Sequence, residues 1–502
     1  MMLSRRDLWL LGAITLLAAA LRLVKLDASL WYDEVLTLVE FVRLPFGEIA
    51  STYTSLNNHV FYSLLAKASV SVFGESAFAL RLPAVLFGVA AIPAVFVLAR
   101  QIGLGALQSH LVAALLALSY HHIWFSQNAR GYTGVFFLSI VASSLFLAGT
   151  RRPSPGLWIA FAVCIGLALY THLTAGLYFA ALGLVYVVWF GRRLLAPDAP
   201  LAAVQARPGL ASWWPFAGFA GGGLLALLLH APLLGDMVTV FTAVSEDGAE
   251  VVAEWRNPLW TLFEILGSLP GPALLAYVAL PPILLVLALG TRETFRRDGV
   301  MGWTFVTHIA LTLGVLIALS FRIWPRYFIV DLAFAMIFLV LGTFALADLL
   351  SRFLRAVLPP AITGDRLALL GCAGGLGLSL LLALANYTHP KQDFEGALAL
   401  VRAEAAPGDV ATSFGLAGLP LSRYFEPDWP VLSSAGDLEA LLARGQRVFV
   451  IYAFPDHTER GNPEIMAILE ARFEEIGWLP GTMGGGEVIV LASRPPAESP
   501  AP

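Results

Sequence analysis

The sequence predicts a polytopic α-helical membrane protein that ends in a small α/β domain, and three observations predict it. The chain is 58% hydrophobic and only 13% charged, whereas a soluble domain carries roughly a quarter charged residues. Apolar runs of about 18 residues or more recur along the first ~390 positions, each long enough to cross a bilayer as a helix. From His389 onward the composition changes. Charged residues become frequent there, and the short apolar runs Val448–Tyr452 and Val488–Leu491 read as buried strands. The net charge of −4 comes with no basic stripe, which excludes nucleic acid as a partner. Cys164 and Cys372 each lie inside an apolar run and read as packing residues.

The first element follows Arg5-Arg6. Its apolar stretch outlasts that of a signal peptide, continuing through Leu21, Leu23, Val24 and Leu26, and reads as an uncleaved first span. Basic residues gather on the cytoplasmic side of membrane proteins. Placing Arg5-Arg6, Arg151-Arg152, Arg192-Arg193, Arg292/Arg296/Arg297 and Arg352/Arg355 inside yields one consistent path. Leu157 to Phe190 is then a hairpin with its turn at Tyr170-Thr171-His172 outside. Spans follow near Trp214–Leu234, Gly271–Leu289, Trp303–Ser320, Tyr327–Leu350 and Leu367–Ala385, with Asp236–Pro258 and Phe321–Arg326 as external turns.

Upstream, the Tyr132–Gly149 helix starts outside, so Ser126–Arg130 is an external turn. The spans before it are His110–Trp124 and Leu82–Leu98. Everything from Asp27 to Arg81 begins and ends outside, and His59–Phe73, at about 15 residues, reads as an interfacial helix rather than a span. The count is about eleven spans of the length a bilayer requires. The N-terminus is expected in the cytoplasm and the tail outside the inner (plasma) membrane. Arg22 and Lys25, at the outer end of the first span, are expected to snorkel to the interface. The domain division is 1–388 for the membrane region, with 27–81 as its first external loop, and 389–502 for the exported α/β domain. Within the tail, Ala435–Arg444 and Pro463–Glu475 read as amphipathic helices.

Four external places collect polar residues. They are Trp31-Tyr32-Asp33-Glu34 with Asn57-Asn58-His59, the turn with Gln127, Asn128, Arg130 and Tyr132, the hairpin turn with His172, and the turn with Arg322, Arg326 and Tyr327. A carboxylate can take a proton from an acceptor or hold a metal. Arginines can hold a phosphate and stabilise it as it leaves. Each group also has a plain structural reading, with solvated acids, hydrogen-bonded histidines, headgroup-contacting Arg81 and Arg130 and belt aromatics.

The strings Ser29–Glu34, His59-Val60-Phe61-Tyr62, Phe73–Ser76 and Arg81-Leu82-Pro83 resemble the opening pattern of one family. It is the polyprenyl-phosphate-sugar-dependent glycosyltransferases of the GT-C fold, in the branch of protein O-mannosyltransferases and lipid A aminoarabinose transferases. The likeness continues through Phe125–Tyr132, Tyr170–His172, Pro325–Phe328, Asp393-Phe394 and Pro407-Gly408-Asp409, covering about the first 410 residues. It implies Asp33 as catalytic base with Glu34 beside it. His59, Arg81, Arg130, Tyr132, His172, Arg326 and Tyr327 would be the donor-phosphate and substrate residues. The implied partners are a polyprenyl-phosphate sugar, a lipid, glycan or protein acceptor, and the membrane lipids. Some members depend on a divalent metal (Mg, Mn or Zn), for which Asp33, Glu34 and His59 are the candidate ligands.

Two departures stand out. The family's His-Pro-Pro reads His59-Val60-Phe61, and Gln127-Asn128 replaces the acid common in the second loop. Two other classes remain open from the residues alone, a transporter or flippase and a non-catalytic scaffold with an exported binding domain. Against transport, no internal repeat is visible and the polar groups sit at helix ends.

Overall fold

The computed structural model describes residues 3–152, 154–195, 212–247, 273–319, 323–355, 359 and 362–494. Arg322 and the part of the Asp236–Pro258 segment beyond Asp247 lie outside the described residues. The chain divides into two units. Met1–Val24, Pro45–Val72 and Arg81–Leu384 form the first, and Lys25–Leu44, Phe73–Leu80 and Ala385–Pro502 the second.

In the first unit, α1 (Arg5–Leu23) opens on a capping box in which Ser4 and Asp7 exchange hydrogen bonds. The acid-bearing α2 (Tyr32–Thr37), which continues as a wide turn over Leu38–Val42, belongs to the second unit. The first unit resumes with α3 (Phe46–Ile49), α4 (Val60–Phe73) and α5 (Ala77–Ile102), the last two straddling the unit boundary by a few residues. Then come α6 (Ala106–Leu118), α7 (Tyr120–Ser126), α8 (Tyr132–Arg151), α9 (Pro155–Thr171) and α10 (Ala175–Leu195). The series ends with α11 (Trp214–His230), α12 (Leu234–Asp247), α13 (Ala273–Arg297), α14 (Gly299–Ala318), α15 (Asp331–Phe353) and α16 (Gly364–Ala385).

Among the described residues, helices lie within all of the expected spans, with the differences given below. Among the described residues, seven helices are long and apolar enough to cross a membrane. The chain is a multi-pass membrane protein, as its composition indicates.

Glycines set how closely these helices pack. A Cβ on Gly290 of α13 would come within 1.9 Å of the Phe338 carbonyl oxygen, and one on Gly342 of α15 within 1.8 Å of that of Val286. The two backbones are in direct contact there, as small residues permit between membrane helices.

Three expectations are corrected in this unit. The His110–Trp124 span is two helices, broken at Ser119, whose hydroxyl caps α7 by accepting from the His122 N–H at 3.4 Å. The span expected from Tyr327 starts at Asp331, because Pro325–Phe328 forms a separate 3-10 turn. Asp236, expected in a loop, sits in the first turn of α12.

The second unit holds α17 (Phe394–Glu404), β1 (Val410–Phe414), β2 (Val431–Leu432), α18 (Ala435–Leu442), β3 (Val448–Ala453), α19 (Pro455–Gly461), α20 (Pro463–Arg472), β4 (Phe473–Leu479) and β5 (Val488–Ser493). The sheet order is β2-β1-β3-β5-β4, parallel across the first three strands and antiparallel to and within the last pair. Phe449 and Ile451 pack with Phe394, Leu398 and Val401 of α17 on one face. Val448, Val450 and Tyr452 pack with Leu438 of α18 and Leu469 of α20 on the other. Burial on both faces explains why β3 and β5 read as continuous apolar runs.

The expected helix Pro463–Glu475 ends at Arg472, and Phe473–Leu479 is an edge strand with a bulge at Glu475/Gly477. Lys25–Leu44, assigned by linear order to the membrane region, groups instead with the tail. The Lys25 ammonium donates to the Tyr387 carbonyl at 2.7 Å, and Glu40 pairs with Arg423 at 3.6 Å.

Candidate active site

Four helix ends of the first unit meet in one polar cluster. Arg130 precedes α8, His172 follows α9 and precedes α10, and Arg326-Tyr327 precede α15. His59 joins them from the start of α4. Its ring lies 4.6 Å from His172 and 4.9 Å from Tyr132, centroid to centroid. Tyr327 stacks 6.3 Å from His172, and the Arg326 guanidinium covers the Trp324 ring at 4.4 Å.

Arg130 is buried. It donates to Asn57 Oδ1, to His59 Nε2 at 3.0 Å and to the Tyr132 hydroxyl at 3.4 Å. Gly131 is required beside it, because a Cβ there would lie 2.3 Å from Thr171 Cγ2 and 2.8 Å from His59 Nδ1. Without that Cβ, the Gly131 N–H donates to His59 Nδ1 at 3.0 Å.

At His59 the donors outnumber the acceptor sites. Arg130 has no acceptor atom, so both nitrogens of His59 face N–H donors, and a neutral imidazole accepts at only one. The Asn57 Nδ2 is buried with no hydrogen-bond partner. His172 Nδ1 is already engaged by the Thr174 N–H at 3.2 Å and hydroxyl at 2.7 Å, which leaves its proton on Nε2.

Burial first, then Arg130, His172 and Arg326, hold His59 well below the ordinary imidazole value. Burial, Arg130 and Arg326 push His172 down to about 3. Both imidazoles are therefore neutral, and the positive charge of the cluster resides on the two arginines.

The loop that carries Arg130 is fixed from below by Arg22. Expected to snorkel, this residue is instead fully buried, and all five of its N–H donors are used. Nε meets Ser126 Oγ at 3.1 Å. The two terminal nitrogens reach the carbonyls of Ala18 at 2.9 Å, Ala117 at 3.2 Å and Leu116 at 3.4 Å, and His122 Nδ1 at 2.6 Å. The Ala117 carbonyl lies at the break that ends α6, where the helix no longer supplies it with an N–H, while that of Leu116 also accepts from the Ser119 N–H at 3.3 Å. Gln127 reciprocates, its amide donating to the carbonyls of Arg22 at 3.1 Å and Val24 at 2.7 Å, where α1 ends. Gly88 of α5 leaves room, since a Cβ there would fall 2.2 Å from Ser126 Oγ. The sequence reads Arg22 as a snorkelling residue and Gln127 as a polar turn residue in place of an acid, and neither reading anticipates this contact. Its one available signal was an arginine late in an otherwise apolar span.

Asp33 and Glu34 lie in the second unit, on α2. Glu34 is fully buried, and its carboxylate accepts from the Trp31 N–H at 3.4 Å, while Asp33 is partly exposed. Arg81 is buried near the start of α5. Among the described residues, no three His, Cys, Asp or Glu side chains are grouped as metal ligands.

Residues 59–216 match the family described as dolichyl-phosphate-mannose-protein mannosyltransferase. The structure of ArnT from Cupriavidus metallidurans in the apo state superposes with a TM-score of 0.52 at 15% identity. That match covers 99% of this chain and 100% of that one. The chain has the GT-C fold. This GT-C protein also matches the oligosaccharyltransferase of Archaeoglobus fulgidus tethered with an acceptor peptide, with a TM-score of 0.53 at 13% identity over 96% of this chain and 74% of that. AglB from the same organism, in complex with an inhibitory peptide and a dolichol-phosphate, matches with a TM-score of 0.51 at 13% identity over 97% and 74%. No curated protein matches in sequence. The fold expected from the motif order is thus borne out.

Proposed function

We propose that this GT-C protein transfers a glycosyl group from a polyprenyl-phosphate-linked donor to a hydroxyl or amine of a lipid, glycan or protein acceptor. The observation that carries this reading is the pair of N–H donors that face the two nitrogens of His59, with the buried Asn57 amide beside them, a set of donors that a bound phosphate would satisfy. The dolichyl-phosphate named for the matching family and the dolichol-phosphate held by AglB support it.

In the proposed step the acceptor O–H or N–H attacks the anomeric carbon and its proton passes to the Asp33 carboxylate. The bond from that carbon to the phosphate oxygen breaks with inversion, and its electron pair leaves with the polyprenyl phosphate. Arg130 and Arg326 meet the charge that develops on the leaving phosphate. The reaction belongs on the extracytoplasmic side. The polar cluster lies at one end of α8, α10 and α15, while Arg151, Arg192-Arg193 and Arg352 occupy the other end.

The test uses protein in nanodiscs with a panel of polyprenyl-phosphate sugars, reading release of polyprenyl phosphate. Arg130→Ala should lower turnover by about 10²–10³-fold, and Arg130→Lys should restore little because the planar fork is lost. Undiminished turnover in Arg130→Ala, or a wild type inert toward the whole panel, overturns the reading.

A further inference from the structure

We infer that the C-terminal α/β domain orients the acid-bearing helix α2, with Gln392 as the positioning residue for Asp33. The inference rests on the proposed role of Asp33 as base.

Open α/β sheets bind ligands beyond the carboxyl ends of their strands, where the strand order reverses. In this sheet β1 is flanked by β2 on one side and β3 on the other, both parallel to it, so the reversal lies at β1 and β3. The residues that follow these two strands, Gly415 and Phe454, both take positive φ, 60° and 54°. For a phenylalanine this region is costly and persists only where its surroundings impose it. The Phe454 N–H donates to the Glu487 carbonyl at 3.3 Å, and its own carbonyl accepts from Thr458 at 2.9 Å.

The crevice so formed is filled by the chain itself. The Phe454 ring meets the Tyr32 ring edge-on, 5.9 Å between centroids at 86°. Gln392, fully buried, spans from the sheet to the helix. Its Oε1 accepts from the Tyr32 N–H at 2.9 Å and its Nε2 donates to the Gly486 carbonyl at 3.0 Å.

Tyr32 is the first residue of α2, and a helix this short does not hold itself in place. The N–H of this first position has no carbonyl one turn earlier within the helix to bond to. Gln392 supplies one, and so sets where the next residue, Asp33, is presented. The edge of the sheet where a substrate would dock in other α/β domains is used here as a cradle for a catalytic-loop helix.

The test compares Gln392→Met, which removes both hydrogen bonds, with Gln392→Glu, which keeps the acceptor for Tyr32, in full-length protein in nanodiscs. Gln392→Met should lower kcat by roughly 10–100-fold, as displacement of a reacting group by about 1 Å does, with donor KM unchanged. Gln392→Glu should keep most of kcat. Hydrogen exchange of the Trp31–Thr37 backbone should quicken in Gln392→Met and not in Gln392→Glu.

Phe454→Leu gives a second route if Gln392→Met does not fold, with the same direction in kcat and exchange. Unchanged kcat and exchange in the folded variants overturn the inference, as does a rise in KM at constant kcat. If Asp33→Asn stays active, the base assignment fails instead, and the exchange measurement still decides whether the domain holds the helix.

Discussion

The loop that carries Arg130 and the helix that carries Asp33 are held by opposite means. In the first unit a buried guanidinium uses every donor it has, and Gln127 closes the reciprocal contact onto the end of α1. In the second, a neutral amide and an aromatic edge are among the contacts that brace a helix of six residues. A buried cation is expensive to strand and its partners are expensive to orphan, so the first arrangement is coupled to folding itself. A neutral amide costs less to lose and leaves a folded but misaligned helix. The Arg130 loop should therefore fail by unfolding and the Asp33 helix by losing rate.

The largest effect follows from breaking the cation side. Arg22→Met keeps an unbranched apolar stem and removes five donors, leaving the Ala117 carbonyl and His122 Nδ1 buried without the donor they have here. The expected loss is about 1–3 kcal/mol for each acceptor left buried without a donor. Thermal unfolding in detergent would show it as a melting point far below that of Gln392→Met. Equal melting points for the two variants would break the contrast between the two holds.

How much of this was legible in the sequence depends on which forces wrote it. The spans and the turn at Tyr170–His172 follow from hydropathy and from arginine placement, because burial in lipid admits little else. The gathering of His59, Arg130, Tyr132, His172 and Tyr327 was visible in outline because Arg130, Tyr132, His172 and Tyr327 flank spans on the same side and the loop that holds His59 begins and ends there. The break at Ser119 was not, since the run from Leu111 to Trp124 has no proline or glycine and one serine is the whole signal. Arg22 was misread because a charge at a helix end and a charge capping a second, broken helix look alike until the partner helix is placed. Strand β4 was missed because its bulge at Glu475/Gly477 disrupts the two-residue alternation, leaving a pattern that reads as continued helix.

A second test sharpens the contrast through pH. His172 is held neutral in the folded protein, with its value pushed down to about 3, against about 6.5 in an unfolded chain. Above about pH 6.5 neither state binds the proton and the residue contributes nothing to pH dependence. Below it the unfolded chain takes up the proton first, so stability falls as pH drops from about 6.5 toward about 3. The melting point of wild type should decline across that window more steeply than that of His172→Gln. Identical slopes would mean that the ring is protonated in place and that the cluster tolerates a further cation.

The smallest expected effect lies at the rim of the second unit. Arg43 and Glu75 form a two-pronged pair at 2.8 and 3.2 Å between the segments Lys25–Leu44 and Phe73–Leu80. Both side chains are 41% exposed, so solvent and salt screen the pair. A double-mutant cycle with Arg43→Gln and Glu75→Gln should give a coupling of roughly 0.2–1 kcal/mol that shrinks as salt is raised. Turnover should stay within twofold, because the pair leaves the Gln392 and Phe454 contacts to α2 untouched. A larger coupling with a parallel loss of kcat would move part of the work of holding Asp33 out to this rim. The buried amide would then be one of several supports for the helix rather than the one that sets its position.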